Sequence, residues 1–301
     1  MDKKTILVTG ATGWQGGSVA RFLLKDGKFA VRILTRKPDT EAANELRKMG
    51  AEIYEGDLSD INSIRTAVKD SYGVFGVTNF WEHFDREYEH GMNLMKAVKE
   101  AGVKHYVFSS LPHPKSFGYN HAVPHFEIKA QVEEAIRKEG IPATIIHIAF
   151  YYENFLFFLM PQKNGDGSFS YGFPQGDTLL AGVSAADVGG VVTQIFNRPE
   201  EFMGRTVGIV GDDLKASDYA AIMNRHTGKK IVFNHIPREF FAKFDFPGAE
   251  DVANMFDMNR LHIPNRRKDI EESRRLYPGM KRFETWVMEN KEKLEKVFSG
   301  I

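Results

Sequence analysis

The stretch Thr5-Ile6-Leu7-Val8-Thr9-Gly10-Ala11-Thr12-Gly13-Trp14-Gln15-Gly16 decides how this chain is read. Residues 5 to 9 are β-branched and apolar without polar alternation and then break abruptly, as in a strand buried within a parallel sheet. Three glycines follow at intervals of three. Beyond them Val19, Phe22 and Leu23 recur at i, i+3 and i+4, the spacing of a helix with one apolar face. A strand, a glycine turn and a helix in that order can cradle a pyrophosphate. Bare backbone at Gly10 and Gly13 permits a tight turn and lets amides approach phosphate oxygens, Gly16 lets the helix lie close to the strand, and the helix N-terminus favours an anion. The expectation is a dinucleotide site with Gly10, Ala11, Thr12, Gly13, Trp14, Gln15 and Gly16 along the phosphates.

Outward from this unit, the first half alternates short apolar runs with helix-period segments. Strands are expected at 30–35, 52–55, 72–77, 105–109 and 143–148, and helices at 41–49, 61–68, 85–101 and 125–138. Helices between strands demand parallel pairing and right-handed crossovers, so the fold class is α/β: a Rossmann-type doubly wound parallel sheet over residues 1–150. From Tyr151 the rhythm is lost. Residues 151–301 are expected to form a smaller α/β C-terminal region over the cofactor cleft, with one segment returning to the sheet. Short strands are predicted at 168–171 and 205–209, helices after Ala216, and one docked C-terminal helix carrying Phe283, Trp286, Val287, Asn290 and Leu294.

The 301 residues carry 40 basic and 40 acidic side chains. A balanced chain lacks the broad positive field of non-specific nucleic-acid binding, so no direct nucleic-acid contact is expected. There is no cysteine, which excludes disulfides, thiolate metal sites and cysteine nucleophiles. The longest apolar stretch, 143–160, contains His147, Glu153 and Asn154, too polar for lipid, and the N-terminus has no apolar signal region. The expected location is the cytoplasm, with the nucleus as a second compartment.

The strand ends refine the ligand. Where an NAD-preferring fold carries an acid about twenty residues beyond the glycines, this chain has Thr35-Arg36-Lys37. A guanidinium can pair with a 2′-phosphate, so Arg36 and Lys37 predict NADP(H). Asp57 and Leu58 would meet the adenine, while Ser59 or Asp60 caps the following helix. Thr78, Asn79 and Phe80 would flank sugar and pyrophosphate, or form a simple turn. Short-chain dehydrogenases place a tyrosine four residues before a lysine on the helix after the fifth strand. Here Lys129 is preceded at that spacing by His125, which is either a surrogate acid or a structural histidine; Lys129 can still hold the nicotinamide ribose. Ser109 and Ser110 either contact the nicotinamide or serve a turn. His121 and His125 have metal-compatible spacing, but Pro124 interrupts the helix they would need, and no metal is expected. Tyr151, Tyr152, Glu153 and Asn154 follow the sixth strand, with Asn154 and a tyrosine expected to reach the cofactor.

Together Gly10 to Gly17, Thr35-Arg36, Gly56-Asp57, Val77 to Glu82, His125-Phe126 with Lys129, and Tyr151 to Asn154 resemble the NmrA-like family of atypical short-chain dehydrogenase relatives. Pro161-Gln162-Lys163, Phe246 to Ala249 and Ala253 to Phe256 extend the resemblance towards its eukaryotic NADPH-sensor branch. It implies an NADP(H)-binding redox sensor without evident turnover, a regulatory protein partner, and room for a homodimer. The glycine loop, Arg36 with its neighbours, Asp57-Leu58, Thr78 to Phe80, Lys129 and Tyr151 to Asn154 would line the dinucleotide. Two positions depart from the branch: Glu89 stands where it has a lysine, and Trp14 where a smaller residue is usual. The alternative function is NADPH-dependent reduction of quinones or aromatic compounds, with Lys129 organising proton transfer.

Overall fold

The computed structural model describes residues 3–299. In chain order the first elements are β1 (Thr5–Val8), α1 (Trp14–Asp26), β2 (Ala30–Thr35), α2 (Glu41–Lys48), β3 (Glu52–Glu55), α3 (Ile61–Val68), β4 (Gly73–Gly76), α4 (Phe80–His83), α5 (Arg86–Glu100), β5 (His105–Ser110), α6 (Pro124–Lys138) and β6 (Ala143–Ile148). There follow β7 (Phe150–Tyr151), β8 (Gln162–Lys163), β9 (Phe169–Phe173), β10 (Leu179–Val183), α7 (Val188–Asn197), α8 (Pro199–Phe202), β11 (Thr206–Ile209), β12 (Asp212–Lys215), α9 (Ala216–Thr227), β13 (Ile231–His235), α10 (Arg238–Phe241), α11 (Ala249–His262), α12 (Arg267–Leu276), α13 (Phe283–Glu289) and α14 (Lys291–Ser299).

The chain divides into two compact units. The first comprises residues 1–113, 124–148 and 186–208; the second comprises 114–123, 149–185 and 209–301. The single boundary expected at residue 150 is thus crossed in both directions. A short loop before α6 joins the second unit, and the segment that carries α7, α8 and most of β11 joins the first.

A seven-stranded sheet in the order β11-β6-β5-β4-β1-β2-β3 organises the first unit. Its neighbours run parallel, with Ile6 opposite Val31 and Gly73, and Phe75 opposite Val107. This is the doubly wound Rossmann arrangement, whose order reverses between β1 and β4. One face packs Leu7, Leu34, Val74, Tyr106 and Phe108 against Ile64, Leu94, Val98, Val132 and Ile136 of the α3, α5 and α6 side. On α1, Ser18 Oγ donates to Ala186 O at 2.6 Å and accepts from Gly189 N at 2.9 Å, which brings α7 against α1.

The second unit holds two three-stranded sheets, β12-β10-β7 and β13-β9-β8. Each combines one parallel and one antiparallel pair. Their shared core is aromatic: Phe173 and Phe256 stack at 4.2 Å, and Tyr152, Phe155, Tyr219, Phe283 and Trp286 are fully or almost fully buried. The one C-terminal helix expected from the sequence is two. At Asn290 the side-chain amide donates to Trp286 O at 2.9 Å, the carbonyl that the Asn290 backbone N–H also uses at 3.0 Å. Such local competition disfavours helix continuation. The β7, β8, β10, β12 and β13 strands lie outside the sequence-based expectation. Among the described residues no helix is long and apolar enough to cross a membrane.

Candidate functional site

The glycine stretch is built as a turn that side chains would obstruct. Thr9 ties the ends of two strands: its hydroxyl donates to Val77 O at 3.0 Å and accepts from Val77 N at 2.9 Å. Gly10 follows with φ +60°, and a Cβ there would lie 2.7 Å from Val77 Cγ1. Gly13 N donates to Gly10 O at 3.0 Å, closing the turn as α1 begins at Trp14. A Cβ on Gly16 would stand 2.4 Å from the carbonyl oxygens of both Thr9 and Gly10, so only bare backbone lets the helix start this close to the strand end. Ala11 is buried, while Thr12 and Trp14 are exposed. A helix N-terminus opening directly from such a turn suits a phosphate group.

At the end of β2, Arg36 and Lys37 are exposed. Arg36 Nη2 donates to Glu82 Oε1 at 2.5 Å, and Arg36 Nε lies 3.9 Å from Asp57 Oδ2. Asp57 accepts from Ser59 N at 2.8 Å. Burial pushes the Asp57 carboxyl up, but the Ser59 bonds and the Arg36 charge outweigh it and hold the group below the usual carboxylate range. Of the two possible caps for α3, Asp60 serves, accepting from Asn62 N at 2.9 Å. Leu58 is half-buried, and its carbonyl accepts from Asn93 Nδ2 at 3.0 Å.

At the end of β4 the polar groups turn inward. Lys129 Nζ donates to Thr78 O and Thr78 Oγ1, each at 3.1 Å, and to Glu87 Oε1. Thr78 Oγ1 donates to the same Glu87 oxygen at 2.5 Å. The Glu87 side chain is 1% exposed and that of Lys129 13%. The lysine predicted to face the nicotinamide ribose is therefore paired with a buried carboxylate from the first turn of α5. Asn79 precedes α4 and donates to Glu82 Oε2 at 3.2 Å. Phe80 is buried against Trp81, Phe84 and His125, with ring centroids at 5.1, 5.4 and 5.8 Å. His125 packs its ring among Phe80, Trp81 and Phe126. Ser109 and Ser110 are buried in β5, and Ser110 Oγ donates to Lys129 O at 3.2 Å. His121 belongs to the second unit, where its Nδ1 meets Arg238 Nη2 at 3.0 Å.

Tyr151, Tyr152, Glu153 and Asn154 also lie in the second unit. Tyr151 pairs with Val183 in the β7–β10 ladder. The Tyr152 ring is fully buried, 5.1 Å from Phe283 and 5.9 Å from Trp286, and it fills the space a Cβ on Gly182 would need. Glu153 accepts from Ser184 Oγ at 2.9 Å, Ala185 N at 3.0 Å and Trp286 Nε1 at 3.2 Å. Asn154 is half-buried in a short 3₁₀ turn. Tyr152 and Glu153 are thus engaged in holding their own unit together.

Residues 2–287 match the NmrA-like family. This chain belongs to the NmrA-like family. An NmrA-like family domain-containing protein of Dictyostelium discoideum is 32% identical over 257 residues, covering 81% of this chain and 84% of that protein. An NmrA-like family domain-containing oxidoreductase of Aspergillus hancockii is 32% identical over 277 residues, covering 85% and 83%. Among solved structures, NmrA, a negative transcriptional regulator, has a TM-score of 0.86 at 25% identity, over 100% of this chain and 99% of that one. NmrA has been solved in complex with NAD and with NADP. Two functional candidates of this NmrA-like chain escaped the sequence reading. Glu82 and Glu87 lie in an acidic, aromatic stretch, 82–89, that resembles any solvated helix start. The departure noted at Glu89 is a surface one: the side chain is exposed and sits 3.8 Å from Arg86.

Proposed function

We propose that this chain binds NADP(H) at the strand ends of its first unit and acts as a nucleotide-responsive regulatory protein without dehydrogenase turnover. The observation that carries this reading is Lys129, whose ammonium is directed at Glu87 and Thr78 while His125, packed among aromatic rings, stands four residues before it in place of a phenol. Proton transfer in dehydrogenases of this general type relies on a phenol whose pKa the lysine lowers. The glycine turn would hold the pyrophosphate, Arg36 and Lys37 the 2′-phosphate, Asp57 and Leu58 the adenine, Thr78 to Phe80 the sugar side, and Lys129 the nicotinamide ribose. Bound NADPH would supply a hydride donor. That NmrA is a regulator solved with both nucleotides supports a regulatory output through a protein partner. Such an output requires the nucleotide to favour one of two states, since equal affinity shifts nothing.

The oxidoreductase name of the Aspergillus hancockii relative favours a second reading: reduction of quinones or aromatic compounds, with Lys129 organising proton delivery through water or His125. Two measurements separate the readings. NADPH should raise the melting temperature of the full chain, and a panel of quinones should then leave NADPH unconsumed. Steady NADPH oxidation abolished by Lys129→Ala would establish the reductase instead. Absence of a melting shift with any nicotinamide nucleotide would remove both.

A further inference from the structure

Arg36, the cation at the end of β2, already has a carboxylate partner. Its Nη2 donates to Glu82 Oε1 at 2.5 Å, and its Nε stands 3.9 Å from Asp57. Glu82 is itself placed by its surroundings, because its second oxygen accepts from Asn79 Nδ2 at 3.2 Å and lies 3.7 Å from His83 Nε2. Asn79, Glu82 and His83 lie on or just before α4, a few residues beyond β4. The carboxylate is therefore presented from a strand end. In folds that prefer NAD(H), the acid that receives the ribose 2′-hydroxyl sits at the end of the second strand. Here that position is basic, and an acid reaches the same guanidinium from the end of β4 instead.

We propose that Glu82 sets the choice between phosphorylated and unphosphorylated dinucleotide, accepting the ribose 2′-hydroxyl of NAD(H) and having to release Arg36 when the 2′-phosphate of NADP(H) arrives. This inference rests on the dinucleotide site proposed above. A guanidinium offers five N–H donors in a rigid fork, and the Nη2 edge is the one engaged by Glu82. A 2′-phosphate approaching that edge brings a near-dianion to a carboxylate. Hydrogen bonding from Arg36 holds the Glu82 carboxyl below its usual range, so the conflict is present at neutral pH. Glu82 is 44% exposed and can swing away into water, but only by giving up Arg36 and Asn79. Either outcome lowers the preference for NADP(H) below what Arg36 alone would give. The site then accepts both nucleotides, and the balance between them is set by one surface carboxylate.

The test is calorimetric titration of the full chain and of Glu82→Gln with NADPH, NADH, 2′,5′-ADP and 5′-AMP, the last two isolating the adenosine end. Glu82→Gln should raise the NADPH-to-NADH affinity ratio by roughly tenfold, a size suited to a close but solvent-screened charge pair. The ratio of 2′,5′-ADP to 5′-AMP should rise in parallel. Arg36→Ala should lower both ratios. If both nucleotides bind and the ratios are unchanged in Glu82→Gln, the assignment of Glu82 fails while the dinucleotide site stands. If the unsubstituted chain binds none of the four, the site and the inference fall together.

Discussion

Glu87 and Lys129 form a pair almost out of contact with water, and Thr78 bonds to both. Removing one member of a buried pair strands the other charge, typically at about 3–5 kcal/mol. Lys129→Met should therefore destabilise the chain by about 3 kcal/mol, and Glu87→Gln by less, because an amide oxygen still accepts from Thr78 and Lys129. In urea unfolding, the Lys129→Met, Glu87→Leu double variant should recover part of the loss, with a coupling of about 1–3 kcal/mol. Strictly additive losses would contradict the pairing. At the exposed end of the site the stakes are smaller: Arg36→Ala should weaken NADPH binding by about tenfold in calorimetry, the low end for a charge-assisted bond. These two cations differed in legibility. Arg36 stood out because a known position lacked its acid, whereas the partner of Lys129 lies 42 residues away in sequence and only folding brings it near.

The elements of the first half follow from periodicity because the central strands β1, β4 and β5 are almost wholly buried and the helices between strands bury one stripe, while β3 at the sheet edge keeps only Ile53 and Tyr54 half-buried. The observed β2, β3 and α3 bounds coincide with the expected ones. Later elements resisted for identifiable reasons. β12 reads Asp212-Asp213-Leu214-Lys215, with no apolar pattern, and β10 contains Gly182, required because the Tyr152 ring occupies the space of its missing Cβ. α7 has the sequence of any buried helix; its membership of the first unit rests on Gly189, whose Cβ would lie 2.3 Å from Ser18 O on α1. Gly189→Ala must push the two helices apart. A loss of about 1–3 kcal/mol, the usual range for overpacking, should appear as a lower melting temperature. The folded fraction should keep its nucleotide affinity. An unchanged melting temperature would mean that the contact between α1 and α7 is looser than described.

For the molecule as a whole, a buried histidine ties stability to pH. His105 Nε2 lies 2.8 Å from Thr144 Oγ1, whose own proton goes to Phe202 O at 2.9 Å, so the imidazole donates through Nε2. Burial pushes its pKa down to about 4. Unfolded, the same ring titrates near about 6.5. Between those values the unfolded chain binds the extra proton, so stability is complete above about pH 6.5 and falls as pH drops towards 4, by on the order of 3 kcal/mol in all. His105→Gln keeps a donor for Thr144 and removes the titration. Its urea midpoint should vary less between pH 6 and 4, and an unaltered slope would exclude His105 as the source. The interleaving of the two units makes a second expectation at this scale: a fragment ending at residue 150 lacks α7 and β11 and should show no cooperative unfolding transition by circular dichroism. The same interleaving governs how the chain is born. A ribosome delivers β1 to β6 long before the residues that seal them, so the nascent first unit waits, with the α1 flank uncovered, while an entire segment destined elsewhere is translated. A pause in translation over residues 149–185 would prolong that exposure.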